Sequence, residues 1–215
     1  MSTYSEKSTK VQRLRVHHLT QAKQRGEKLV MLTAYDAVTA RILDAAGTDM
    51  LLVGDSIGNT MLGRENTLEV TLDEMAVATR AVASATTRAM VVADFPFGTY
   101  ESGPTQALAT GVRLLKAGAQ AVKLEGGATR AKSVKALTEA GIPVVGHLGF
   151  TPQSVNLLGG YRVQGRGDAG AQLRVRNQRR CLRAMGLPHP VVLRRTLQRP
   201  TPAGGGLADG AGRAA

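Results

Sequence analysis

At 215 residues and 43% hydrophobic content the chain can bury a sizeable core, and with 3% aromatics that core has to be aliphatic. No apolar run approaches the ~20 residues that span a bilayer. The polar start MSTYSEKSTKVQRLRVHH lacks a secretion-signal core and a single Cys181 leaves no internal disulfide framework, so a cytoplasmic location with no membrane partner is expected. The charge of +12 raises a nucleic-acid reading, yet nine of the 28 basic residues and only one of the 16 acidic ones lie beyond Leu173. The preceding 173 residues hold 19 basic and 15 acidic side chains, a mildly charged body carrying a basic tail.

Residues 1 to about 27 form a polar lead-in with a helix near 11–24, in which His17 and His18 point in different directions and read as a solvated pair. KLVMLTAYD is the first strand, and ARILDAAG is a helix stopped at Gly47. Met50 to Gly54 is the second strand, a continuous apolar run of the buried-parallel type that stops on Asp55 and Ser56. A long connection follows, and then Thr71 and Glu74 stand at capping-box spacing before an alanine-rich helix. Met90 to Ala93 is the third strand, with Asp94 after it, and 105–117 is the next helix. Gln120 to Leu124 is the fourth strand, bringing Lys123 and Glu125; Gly126-Gly127 fits a phosphate cradle but reads better as a tight turn into a helix over 130–140. Val144 to Gly146 is the fifth strand, closing on His147.

Strands alternating with amphipathic helices call for parallel pairing with right-handed crossovers. An open doubly wound sheet and a (β/α) barrel both fit. The barrel is favoured because polar residues end nearly every strand and no GxGxxG follows the first. Carboxylates past strand ends are where such folds keep their chemistry. A glycine-rich stretch follows, LGFTPQSVNLLGGYRVQGRGDAGAQL, and after Leu173 sustained apolar periodicity is lost. A full barrel needs about 250 residues. The expected α/β architecture is therefore an incomplete (β/α)₈ TIM-barrel type of about five βα units over 1–173. Residues 174–215 are expected to be a disordered Arg/Gly/Pro/Ala-rich tail.

VGDSIGNTMLG, VVADFPFGTYE, AVKLEGG and GHLGFTPQSVNLLGGYRVQGR together resemble the ketopantoate hydroxymethyltransferase family, as do HHL and MLTAYDAVTARILDAAG at the front. The likeness runs from about Val11 to Leu173. It implies a cytoplasmic, Mg²⁺-dependent (β/α)₈ barrel that assembles into homo-decamers. It also implies a transferase that moves a one-carbon unit from 5,10-methylenetetrahydrofolate to 3-methyl-2-oxobutanoate on the route to pantothenate. Carried over by motif, Asp55 and Asp94 are the magnesium carboxylates and Glu125 a third acid acting through the water shell. Ser56 and Lys123 hold the 2-oxo acid together with Asp55 and Asp94, and His147 lies nearby with a possible catalytic role. The family's catalytic base, a glutamate after the sixth strand, has no matching segment, so no catalytic base is assigned. The lysine-free, arginine-rich text after Leu173 reads as a shifted frame. Two other readings stay open: an inactive truncated barrel, and a nucleic-acid binder using the arginine tail, which no recognised fold supports. Cys181 gets no role.

Overall fold

The computed structural model describes residues 12–148, 150–160, 172 and 192–193. Six parallel strands pair in sequence order: β1 (Met31–Thr33), β2 (Met50–Val53), β3 (Met90–Asp94), β4 (Ala121–Glu125), β5 (Val144–His147) and β6 (Val192–Leu193). The helices are α1 (Val16–Gln24), α2 (Ala37–Ala45), α3 (Ile57–Thr60), α4 (Leu72–Ser84), α5 (Pro104–Lys116) and α6 (Ala131–Glu139). An order that never reverses has no switch point, so the sheet is an arc of a (β/α) barrel. Among the described residues β1 and β6 are its edges.

Alternation along each strand divides the core in two. Leu51, Val53, Val91, Ala93, Val122 and Leu124 face outward and pack with Met75, Val82, Leu114, Val134 and Leu137 of the helices. Met50, Met90, Val92, Ala121 and Val145 face inward, where Leu19 of α1 joins them. The segment entering α1 is tied to the amino ends of the strands, since Leu14 N donates to Arg88 O and Gln120 Nε2 donates to Leu14 O. The inner face thus has an apolar floor, and only its carboxyl-terminal rim is left for polar groups.

Local chemistry explains the boundaries. The Asp36 side chain accepts from Thr39 N at the start of α2, and Thr71 with Glu74 forms the expected capping box on α4. The start of β3 is held by Asp44, whose carboxylate accepts from Thr87 N (2.7 Å), Thr87 Oγ1 (2.7 Å), Ala89 N (2.6 Å) and Arg88 N (3.2 Å). Burial works to raise the Asp44 pKa, but these donors favour the anion and leave it below its ordinary value.

Two elements differ from the sequence reading. The connection after β2 contains the one-turn α3, too short to show a periodicity. Five βα units were expected, with nothing structured after Leu173, yet Val192 and Leu193 pair parallel with Gly146 and His147 as a sixth strand. Two residues carry no readable pattern; the unpaired edge of β5 supplies their hydrogen-bonding partners. The rest of the expected 174–215 tail, Cys181 included, lies outside the described residues.

Candidate functional site

Parallel register decides which polar side chains meet. Asp94 is the last residue of β3 rather than the first beyond it, and it stands opposite Lys123 of β4. Glu125, the last residue of β4, stands opposite His147 of β5. Both pairs form: Lys123 Nζ donates to Asp94 Oδ1 at 2.5 Å, and His147 Nδ1 lies 3.0 Å from Glu125 Oε1. Asp55 follows β2 at the same rim, where its backbone N–H donates to Asp94 Oδ2 at 3.3 Å. Gly54 leaves room for the Ser56 hydroxyl, since a Cβ there would lie 2.8 Å from Ser56 Oγ. Ser56 shares a 2.8 Å hydrogen bond with the Tyr35 hydroxyl.

Asp55, Asp94, Lys123 and Glu125 are only 6%, 4%, 9% and 6% exposed, three carboxylates and one ammonium sunk in the rim. Burial first, and then the charge of Asp94, push the Asp55 pKa up to about 6. For Lys123 burial opposes the charged form, but Asp94, Asp55 and Glu125 outweigh it and the pKa lies above its ordinary value.

The sequence reading did not single out Gln153, which links three strand ends. Its Nε2 donates to Asp55 Oδ2 and to Phe95 O, each at 2.8 Å, and its backbone N–H donates to Glu125 Oε2 at 3.0 Å. The Tyr100 hydroxyl donates to its Oε1 at 2.6 Å. Gln153 lies in the GHLGFTPQSVNLLGG motif, but a glutamine in a loop has no intrinsic chemistry to mark it out; its position in the quoted motif was the available signal.

Every residue expected in the site therefore gathers at one rim, with unequal roles. Asp55 Oδ1 makes no hydrogen bond among the described residues, and Asp94 Oδ2 receives only the long one from Asp55 N. Both oxygens of Glu125 are engaged, by His147 and by Gln153 N. No group of three or more His, Cys, Asp or Glu side chains among the described residues is gathered to hold a metal. Mg²⁺ needs only one or two protein carboxylates and keeps several waters. Two under-donated oxygens on neighbouring buried acids, one with its pKa raised, would suit such a cation.

A parallel (β/α) arc with acids and a lysine at the carboxyl rim of its strands defines an α/β-barrel protein with a charged central site. The family model described as ketopantoate hydroxymethyltransferase matches residues 13–194, and the chain belongs to that family. The match continues past Leu173, where the motif resemblance ended. The chain is 57% identical over 164 residues to 3-methyl-2-oxobutanoate hydroxymethyltransferase of Paenarthrobacter aurescens (strain TC1), an alignment covering 76% of this chain and 54% of the relative. The protein of that name from Thermobifida fusca (strain YX) is 59% identical over 161 residues, covering 74% and 58%. The chain thus spans little more than half the length of these curated relatives. Similar solved structures share the fold. A 2,3-dimethylmalate lyase of the PEP mutase/isocitrate lyase superfamily has a TM-score of 0.57 at 20% identity, covering 82% of this chain and 60% of that one. A phosphonopyruvate hydrolase in complex with oxalate and Mg²⁺ has a TM-score of 0.60 at 16% identity, covering 78% and 59%. No helix among the described residues is long and apolar enough to cross a membrane.

Proposed function

We propose that the rim cluster binds a divalent cation together with 3-methyl-2-oxobutanoate. In the reaction it serves, the carbon next to the keto group loses its proton and bonds to the one-carbon unit of 5,10-methylenetetrahydrofolate, water supplies the hydroxyl as the carbon–nitrogen bond breaks, and 2-dehydropantoate and tetrahydrofolate are released. Family membership points to this substrate pair and to the homo-oligomeric, decamer-type assembly of the family. The observation that carries the reading is the juxtaposition of Asp55, Asp94 and Lys123 at the ends of three adjacent strands.

Asp55 Oδ1 and Asp94 Oδ2 are the oxygens that would hold Mg²⁺, with Glu125 outside direct contact. When bound, the cation supplies positive charge that stabilises the keto oxygen as negative charge develops on it. Lys123 occupies the other oxygen of Asp94 and supplies a compact charge that attracts the substrate carboxylate. Ser56, oriented through Tyr35, donates to the same substrate. The proton next to the keto group needs a base. Residues 174–215 contain no glutamate, so the base that the family resemblance puts after the sixth strand has no counterpart there. Among the residues gathered at the rim, His147 is the candidate. With its Nδ1 proton donated to Glu125, its Nε2 is a lone-pair acceptor that makes no hydrogen bond among the described residues. A second reading, a partial barrel that binds but does not turn over, is favoured by the lack of a glutamate within residues 174–215 and by exposed Val30 and Leu32 beside β1, an edge strand among the described residues.

Proton exchange separates the two. In D₂O with Mg²⁺, NMR should follow loss of the proton next to the keto group of 3-methyl-2-oxobutanoate without any folate. Exchange that vanishes in Asp94→Asn and falls about 10²-fold or more in His147→Gln supports the active reading. Binding without exchange supports the partial barrel, and exchange undiminished in Asp94→Asn overturns the site.

A further inference from the structure

We infer that Gln153 is the positioning residue of the site, aiming the free oxygen of Asp55 at the cation position; this rests on the cation reading proposed above. Gln153 lies 98 residues from Asp55 in the chain and is buried, yet its amide is fully engaged. Its nitrogen has two hydrogens; one goes to Asp55 Oδ2 and the other to the carbonyl of Phe95. Its oxygen accepts from Tyr100, whose hydroxyl also lies 3.4 Å from Glu125 O.

This network permits one orientation of the amide. The Phe95 carbonyl can only accept, so the nitrogen must face it, and a flipped amide would set two oxygens together there. The Tyr100 hydroxyl, on a ring packed against that of Phe95, holds the oxygen end. Asp55 is therefore gripped through Oδ2 by a group whose own rotamer is locked at both ends, and Oδ1 is the oxygen left over. The backbone N–H of the same residue engages Glu125 Oε2, so a single 3₁₀ turn (Pro152–Ser154) orients two of the three rim acids. Partners that orient ligating carboxylates typically change metal affinity 10–100-fold when removed.

The test is Mn²⁺ binding to the full chain, read as free Mn²⁺ by electron paramagnetic resonance, with unfolding midpoints measured alongside. Mn²⁺ stands in for Mg²⁺ because both take oxygen ligands. Gln153→Met keeps the length and removes both donors, and should weaken Mn²⁺ binding 10–100-fold. Tyr100→Phe leaves the nitrogen contacts in place and should give a smaller loss in the same direction. Asp44→Asn, at the far end of β3, should lower the unfolding midpoint and leave Mn²⁺ affinity unchanged. An affinity in Gln153→Met within twofold of wild type overturns the positioning role while leaving the cation site standing. An equal loss in Asp44→Asn overturns it too, because general destabilisation would then explain the effect. No Mn²⁺ binding by the wild type overturns the cation reading and this inference together.

Discussion

The raised pKa of Asp55 should cost the metal-free protein stability at neutral pH relative to mild acid. Its ordinary value of 3.8 rises to about 6 in the folded chain, first through burial and then through the neighbouring Asp94 charge. Below pH about 4 the carboxyl holds its proton in both folded and unfolded chains and contributes nothing. Between about 4 and 6 the unfolded chain ionises while the folded one does not, so stability falls as pH rises. Above about 6 a constant penalty remains. A shift of roughly two pKa units at about 1.4 kcal/mol each puts that penalty near 3 kcal/mol, a large share of a net stability of about 5–15 kcal/mol. The assay is urea unfolding of wild type and Asp55→Asn at pH 4.5 and 7.5, without divalent cation. The variant cannot titrate at this position, so the two curves should diverge, wild type losing on the order of 2 kcal/mol relative to Asp55→Asn between the two pH values, because about a third of the penalty is already present at pH 4.5. Mg²⁺ at pH 7.5 should restore wild type selectively, because it binds the folded anion. Parallel pH profiles for the two proteins would refute the account of Asp55 as a buried acid strained by its neighbour.

Asp44→Asn turns one carboxylate oxygen into a donor facing N–H or O–H groups of Thr87, Arg88 and Ala89, and should cost about 2–4 kcal/mol of stability, measured as a shift in the urea midpoint. Because its native pKa is lowered, the stability that Asp44 contributes is present at neutral pH and lost as pH falls below about 4, and the variant should lack that acid limb. Lys123→Met should weaken 3-methyl-2-oxobutanoate binding by at least tenfold in a titration at saturating Mg²⁺, while Lys123→Arg should recover only part, since a planar fork does not replace a compact point charge buried beside Asp94.

Much of the rim was legible in the sequence because buried parallel strands are written as unbroken apolar runs, and a polar residue at their end stands out. Asp94, Lys123, Glu125 and His147 all carry that signature. Register was less accessible. Placing Asp94 inside β3 brings it level with Lys123, and Glu125 at the end of β4 comes level with His147, so one-residue shifts in strand ends decide which charges pair. Gln153 was illegible for another reason: its role comes from a loop folding back across three strand ends, and no local pattern encodes that return. The same holds for Tyr100 and Tyr35, whose partners Gln153 and Ser56 come beside them only in the folded chain. β6 was missed because two residues cannot display a period, and its pairing depends on the edge that β5 leaves open.

If Asp55 and Asp94 hold a cation that in turn receives the 2-oxo acid, as proposed, the two must bind in a linked way, and that linkage is the most direct test. Calorimetric titration of 3-methyl-2-oxobutanoate into the chain should give binding heat with Mg²⁺ present and little without it, and the oxo acid should in turn tighten Mg²⁺. Asp94→Ala should abolish the linkage in both directions. Equal oxo-acid affinity with and without Mg²⁺, or unchanged Mg²⁺ affinity in both Asp55→Ala and Asp94→Ala, would contradict the account.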